Sequence, residues 1–320
     1  MPDETDLLVL RKGTHGTPIE QYAETLRERL PDRTVELART PTAERELIED
    51  ARFVTGMTLE EELLEAAPDL EVFACAYAGT GHLPLDRLRE RGVAVTNASG
   101  VHGPNMGEHV LGAILHFTRR FHVAERRQRR REWRHYKAHE LQGSTVTIVG
   151  LGAIGRATAE RLEPFDVETI GVRYTPEKGG PTDEVVGFED EPFEDALART
   201  DYLVLACPLT DLTRGLIDRE TMITLDPEAV IVNVARGPVV DTDALVDALR
   251  SGWIRGASLD VTDPEPLPED HPLWNFGNVQ ITPHNAGQTP RYYERLADIV
   301  VENVRRFDEG SDELRNQVVP

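Results

Sequence analysis

The chain is predicted to be an α/β protein made of two doubly wound parallel sheets, the second inserted into the first. Three observations predict it. Apolar β-type runs alternate with polar, helix-prone stretches from Leu7 onward, which is the pattern of parallel βαβ units. The alternation restarts at Thr145 as a second series, and a helical tail follows that series. Finally, 320 residues are enough for two domains with separate cores.

The strands of the first series are Leu7–Leu10, Thr34–Leu37, Phe53–Gly56, Glu71–Tyr77 and Val93–Asn97, separated by helical stretches such as Ile19–Leu30 and Leu59–Ala66. The second series is Thr145–Gly150, Val167–Val172, Asp201–Cys207, Ala229–Ala235, Gly256–Val261 and Val279–Pro283. Six strands with intervening helices are what a complete dinucleotide-binding sheet requires. A helical segment from about Gly103 to Trp133 lies between the series, and Arg291–Phe307 reads as a helix returning to the first domain. The expected organisation is therefore 1–99 plus 288–320 as one domain, which the resemblance given below makes the substrate domain, and 100–287 as an inserted dinucleotide-binding domain with a helical arm.

Composition narrows the function classes. No apolar run approaches the roughly 18 residues of a membrane span. The acidic start, Met1-Pro-Asp-Glu-Thr-Asp6, lacks the basic and apolar parts of a signal peptide. Cys75 and Cys207 sit in apolar, strand-like runs without metal-ligand spacing, and read as buried free thiols. These features predict a cytoplasmic protein. The formal net charge is −22, and all but three of the 35 basic residues are arginines. Such a surface repels nucleic acid and anionic lipid. It resembles the surfaces of proteins from salt-in halophiles, where counter-ions screen self-repulsion. A haloarchaeal habitat is the expectation, with an acidic, high-GC mesophile as the alternative.

Gly150-Leu-Gly152-Ala-Ile-Gly155 is a GxGxxG between an apolar strand, Val146–Val149, and a helix, Ala157–Leu162. Gly150 permits a tight turn, Gly152 lets backbone approach a pyrophosphate, and Gly155 lets the helix pack close to the sheet. The helix start then offers unpaired N–H groups to the anion. An acidic residue about 20 positions on would hold the ribose 2′-hydroxyl of NAD. Here the second strand ends Gly171-Val-Arg173, and a guanidinium attracts a 2′-phosphate. The expected cofactor is NADP, with NAD as the alternative.

Arg236, Glu265 and His284 each fall just beyond the carboxyl end of a late strand, where ligands bind in open α/β sheets. Hydride arriving at a ketone carbon leaves negative charge on oxygen, and histidine is suited to protonate it. A carboxylate beside the ring favours imidazolium and orients it, which is the role read for Glu265. A permanent guanidinium can bind a substrate carboxylate and polarise the carbonyl, which is the role read for Arg236.

Together, Val149–Arg156, Cys207-Pro-Leu-Thr210, Val232-Asn-Val-Ala-Arg-Gly237, Leu259–Leu267 and Thr282-Pro-His-Asn-Ala-Gly287 resemble the D-isomer-specific 2-hydroxyacid dehydrogenases, which include glyoxylate/hydroxypyruvate reductases. The resemblance implies a Rossmann cofactor domain inserted into a flavodoxin-like substrate domain. It implies reversible reduction of small 2-keto acids, of the glyoxylate, hydroxypyruvate or pyruvate type, to D-2-hydroxy acids. Arg236, Glu265 and His284 would be catalytic. Ala153 and Ile154 would meet the pyrophosphate, Asp260 the nicotinamide carboxamide, and Val234 and Cys207 would line the cofactor cleft. The loop Tyr77-Ala-Gly79-Thr-Gly81 resembles the family loop whose N–H groups hold the substrate carboxylate, which assigns Ala78 and Gly79 to the substrate. Here the sequence departs from the family, which commonly has an aspartate where Gly81 stands. Tyr77 reads either as a border of the substrate side chain or as a plain core tyrosine.

The run Arg126-Arg-Gln-Arg-Arg-Arg131, with Trp133, His135 and Tyr136, lies where similar proteins carry a dimerisation arm, so a homodimer is expected and nucleic acid is not. His102, His109, His116 and His122 come with no carboxylate or cysteine set for a metal, and read as core or solvated residues. Ser99 lacks a nucleophile-elbow pattern, which leaves a hydrolase unsupported. The alternative function is a dinucleotide-sensing corepressor-like protein of the same fold. Phosphoglycerate dehydrogenase is disfavoured because no regulatory domain follows Pro320.

Overall fold

The computed structural model describes residues 5–14, 16–311 and 313–320. The first four residues of the acidic start therefore lie outside the described residues. Packing divides the chain into two compact units, Met1–Val101 with Thr289–Pro320, and His102–Gln288.

In the first unit, β1 (Leu7–Val9), β2 (Val35–Leu37), β3 (Phe53–Gly56), β4 (Val72–Cys75) and β5 (Ala94–Thr96) alternate with α1 (Ile19–Arg29), α2 (Pro41–Leu47), α3 (Glu61–Glu65) and α4 (Leu85–Glu90). In the second unit, α5 (Gly103–Thr118) and α6 (Phe121–Arg129) precede β6 (Thr145–Val149), α7 (Ala153–Leu162), β7 (Glu168–Val172) and β8 (Glu184–Val186). There follow α8 (Asp190–Ala198), β9 (Tyr202–Leu205), α9 (Arg219–Thr224), β10 (Val230–Asn233), α10 (Thr242–Ser251), β11 (Gly256–Leu259) and β12 (Val279–Ile281). The chain then returns to the first unit through α11 (Tyr292–Asp308) and β13 (Gln317–Val319).

The first sheet runs β13-β5-β4-β3-β1-β2, the second β12-β11-β10-β9-β6-β7-β8. The order β2-β1-β3-β4-β5 is the flavodoxin-like one. Each sheet has hydrophobic side chains packed on both faces, as helices on both sides of a parallel sheet require. The returning helix α11 buries Tyr292, Leu296, Ala297, Val300 and Val304 at helical spacing, and Tyr293 stacks on Tyr22 of α1 with ring centroids 5.1 Å apart.

Three details depart from the expected pattern. Two strands were not anticipated: β8 extends the second sheet, and β13 pairs antiparallel with β5, so the first sheet has an antiparallel edge. Both are three-residue edge strands, too short to carry a period. The expected helix Gly103–Trp133 is two helices, broken where Arg120 adopts a left-handed conformation with φ of 53°, and it ends at Arg129. A run of arginines retains helical propensity throughout, so composition could not reveal that break. No helix among the described residues is long and apolar enough to cross a membrane.

The second sheet brings three loops to one level. Its strands are all parallel, so their carboxyl ends share one edge. Asn233 of β10, Leu259 of β11 and Ile281 of β12 stand in one register row, so the loops beyond them start side by side. Helix α10 is closed at both ends, by the Asp241 side chain accepting from Ala244 N–H at 3.0 Å and by left-handed Gly252. Helix α7 has no side-chain cap at its start.

Candidate active site

The glycine turn sits between β6 and β9, where the strand order reverses. Gly150 has φ of +99°, and a Cβ there would lie 2.7 Å from Cys207 Cα. A Cβ on Gly155 would lie 2.0 Å from the Gly150 carbonyl oxygen, so α7 can approach the sheet only without a side chain. At Gly152 a Cβ would meet nothing within 4 Å; this glycine faces open space. Ala153, Ile154 and Gly155 form the first turn of α7, whose N–H groups have no intrahelical acceptor.

A cleft of about 570 Å³ opens beside this turn, lined among others by Gly150, Gly152, Arg173, Tyr174, Cys207 and Leu212. Arg173 is half-buried and its Nη1 donates to the Gly179 carbonyl at 2.6 Å. Val234 is buried past the end of β10. Burial also pushes the Cys207 thiol up to about 11, which keeps it protonated and inert at neutral pH. The bare turn, the uncapped helix start and the adjoining cleft fit the phosphates of a dinucleotide.

His284 and Glu265 meet directly, with Nδ1 of the ring 2.7 Å from Oε1 of the carboxylate. That contact leaves Nε2 as the ring nitrogen free to exchange a proton. His284 itself has φ of 51°, a left-handed conformation costing about 1–3 kcal/mol for a residue with a Cβ. The neighbourhood holds it there. Asp260, only 3% exposed, accepts at Oδ1 from Thr282 Oγ1 at 2.5 Å and from Asn285 N–H at 2.8 Å. Its Oδ2 accepts from Ala286 N–H at 2.9 Å, and its carbonyl from His284 N–H at 2.8 Å. Asp260 thus braces the loop that carries His284. Three donors leave room on the carboxylate for one more, such as the carboxamide assigned from the resemblance.

Arg236 follows the neighbouring strand. Asn233, 1% exposed, shapes its loop by donating to the Arg236 carbonyl at 3.2 Å and accepting from Ala235 N–H at 3.0 Å. At Gly237 a Cβ would stand 1.9 Å from the Thr262 carbonyl oxygen, so the Arg236 loop presses against the loop that leads to Glu265. The exposed Arg236 guanidinium donates to the Ala235 carbonyl at 2.6 Å and makes no hydrogen bond to Glu265.

In the first unit, Ala78 and Gly79 follow β4 in an exposed loop. The Ala78 carbonyl accepts from Asn97 Nδ2 at 2.8 Å, while the N–H groups of Ala78 and Gly79 make no hydrogen bond among the described residues. Such donors suit an anion. Tyr77 is 37% exposed, which removes the core reading; its ring stands edge-on to His82.

Sequence reasoning missed Asn233, Thr282 and Asn105, whose Nδ2 donates to the Ala286 carbonyl at 2.8 Å. Asn233 and Thr282 stand within three residues of Arg236 and His284, which was the available signal. Asn105 lies 181 positions from its partner, and nothing local announces it. His109 is likewise no bystander, with Nε2 at 3.5 Å from Thr282 Oγ1.

Replacing Asp260 by Asn removes one acceptor oxygen and turns an NH2 group toward backbone donors. Asp260→Asn should therefore speed hydrogen exchange at the Asn285 or Ala286 amide by roughly 10-fold or more, the scale of one lost bond to a charged group. Unchanged protection at both amides would refute the bracing role.

Comparison with known proteins gives the family. The profile described as "D-isomer specific 2-hydroxyacid dehydrogenase, NAD binding domain" matches residues 111–286. The chain is similar to a glyoxylate reductase of Thermofilum pendens, 38% identical over 253 residues that cover 77% of this chain and 74% of that protein. It is also similar to a D-3-phosphoglycerate dehydrogenase of Mycobacterium leprae, 37% identical over 277 residues, which are 86% of this chain but 51% of that one. Among solved structures, a D-isomer specific 2-hydroxyacid dehydrogenase from Xanthobacter autotrophicus Py2, in complex with NADPH and MES, superposes with a TM-score of 0.78 at 30% identity over 98% of each chain. The profile match spans more than half of the sequence and takes in the glycine turn, Arg236, Glu265 and His284; the chain belongs to the D-isomer specific 2-hydroxyacid dehydrogenase family.

Proposed function

We propose that the protein reduces small 2-keto acids, of the glyoxylate, hydroxypyruvate or pyruvate type, to D-2-hydroxy acids, reversibly and with NADPH preferred over NADH. The observation that carries this reading is the His284–Glu265 contact at 2.7 Å beside the level carboxyl ends of three parallel strands. When bound, the reduced nicotinamide supplies a hydride to C2. His284 Nε2 gives a proton to the keto oxygen, so one C–H and one O–H bond form and the C=O double bond is lost. Glu265 keeps the ring in the tautomer and orientation this transfer needs. Arg236 binds the substrate carboxylate and offsets the charge developing on oxygen. Gly150, Gly152, Ala153, Ile154 and Gly155 would hold the pyrophosphate, with Val234, Cys207 and Asp260 along the cofactor.

Loss of the proton donor should remove turnover but not dinucleotide binding. His284→Ala is expected to lower glyoxylate or hydroxypyruvate reduction by about 10²–10⁴-fold, the usual worth of general acid catalysis, with NADPH affinity near wild type. Retained turnover would end its assignment. Failure of the wild-type protein to turn over any small 2-keto acid, alongside tight NAD(P)H binding, would instead favour the corepressor-like reading.

The cofactor preference rests on Arg173, which lines the cleft beside the glycine turn. Arg173→Asp should move the ratio of NADPH to NADH efficiencies toward NADH by roughly 10-fold or more, through loss of a charge-assisted contact and gain of a repulsive one. An unchanged ratio would exclude a 2′-phosphate role.

A homodimer adapted to high salt belongs to the same proposal. Trp133 is fully exposed on the segment after α6, and Arg127 Nη1 holds that segment through the Arg134 and His135 carbonyls, both at 2.7 Å. A large aromatic so presented suits a partner subunit. Sedimentation equilibrium in molar KCl should return twice the 35.8 kDa chain mass, with dissociation or unfolding as salt is lowered. A folded monomer at every salt concentration would contradict both inferences.

A further inference from the structure

A second polar cavity lies at the other end of the same parallel sheet. Its volume is about 430 Å³, and its charged and titratable lining is Arg120, His122, Arg126, His139, Glu228 and Arg255. Arg255 directly precedes β11, and Glu228 stands just before β10, so the cavity opens at the strands' amino ends. Arg236, Glu265 and His284 follow their carboxyl ends.

The charge balance here is opposite to that of the chain. Three guanidinium groups share the space with one carboxylate, in a protein of net charge −22. Glu228 forms no ion pair with any of the three among the described residues; its carboxylate lies 4.0 Å from His139 Nε2, and one carboxylate cannot balance three guanidinium groups. Among the described residues, the Arg120 guanidinium donates to the Lys137 carbonyl, at 3.3 Å, and to no carboxylate. Arg126 makes no hydrogen bond or ion pair among the described residues. Arg255 is held by Tyr202, whose hydroxyl accepts from Nη2 at 3.1 Å and whose ring lies 5.6 Å from the guanidinium carbon. Tyr202 is in turn anchored to Thr118 at 2.7 Å. Arg255 Nε and His122 Nδ1 are both buried without a hydrogen-bond partner. Unpaired buried nitrogens and clustered like charges are both unfavourable unless something else satisfies them.

We propose that this cavity is a binding site for a phosphate-type oxyanion, free or as the terminal group of a small phosphomonoester, held by Arg120, Arg126 and Arg255 with His122 beside it. The oxyanion supplies the negative charge the three arginines lack, and bidentate contact with guanidinium is favourable geometry for it. The state of His122 agrees. Burial first, then His116, Arg120, Arg126 and Arg255, holds its ring down at about 4. His116, itself held low by burial against the opposing pull of Glu125, lies beside it, and Glu228 and His139 line the same cavity. The ring is thus neutral at pH 7, and a bound anion reverses the charge it feels. Its titration midpoint must then rise, and by linkage the anion binds more tightly as pH falls through the raised midpoint.

Calorimetry with inorganic phosphate and, separately, glycerol phosphate tests the site on the intact protein saturated with NADPH, which also fills the Arg173 subsite, at fixed ionic strength. Tighter binding of glycerol phosphate identifies an esterified ligand, and equal or weaker binding the free anion; either supports the site. The Arg126 side chain is exposed, so Arg126→Ala and Arg126→Glu remove no hydrogen bond or ion pair found among the described residues, and circular dichroism of each variant checks the fold. Arg126→Ala should weaken phosphate by roughly 10-fold, Arg126→Glu should abolish binding, and the His122 ring signal should titrate at higher pH with phosphate present. Absence of phosphate binding to the wild type, or equal binding by both variants, would overturn the proposal. So would dissociation of an oligomer by Arg126→Glu with phosphate binding unchanged, since that would assign the arginines to a second copy of the chain.

Discussion

The arrangement at the carboxyl edge of the second sheet depends on one buried carboxylate. Asp260 gathers the Thr282 hydroxyl and the N–H groups of Asn285 and Ala286, while its carbonyl takes the N–H of His284. Those bonds help to offset the left-handed backbone that His284 adopts. With them, the imidazole is delivered to Glu265 at hydrogen-bond distance. The His284–Glu265 contact is therefore set in part by a residue one strand away, just past the end of β11. The loop can be short because β11 and β12 are adjacent and parallel, and their ends are level.

The same sheet explains why two such different polar sites can share one compact unit. In a parallel sheet all strand starts share one edge and all strand ends share the other. At the carboxyl edge, glycines strip away side chains and leave an uncapped helix start, while Asp260 and Asn233 commit their hydrogen bonds to loop geometry. At the amino edge, arginines converge with few acceptors of their own. The amino edge gathers three arginines in a chain that is otherwise strongly acidic.

Much of this was legible in the sequence because it rests on local backbone demands. Gly150, Gly152 and Gly155 announce themselves by spacing, and the geometry gives each a distinct reason: a left-handed turn, an open approach and a helix–strand contact. Arg236, Glu265 and His284 were readable because each closely follows an apolar run, and strand register then brings the last two together. What stayed hidden depends on contacts across the chain. Asp260 read as a cofactor ligand, but its bracing role needs the fold that places β12 beside β11. The basic cavity joins Arg120 and Arg126 to Glu228 and Arg255, more than a hundred positions apart, and Arg126 read only as part of an arginine run. The strands β8 and β13 and the break at Arg120 were missed because three residues, or one backbone torsion, leave no periodic trace.

The central claim is that Arg236 and His284 act on one substrate whose hydride donor lies along the Gly150–Gly155 turn. A crystal structure with NADPH and a non-reducible 2-keto acid analogue tests this most directly. The expected complex has the pyrophosphate on the first turn of α7, the analogue's carboxylate on Arg236, and its carbonyl oxygen within hydrogen-bond reach of His284 Nε2. A dinucleotide bound away from that turn, or an analogue seated out of reach of His284, would contradict it.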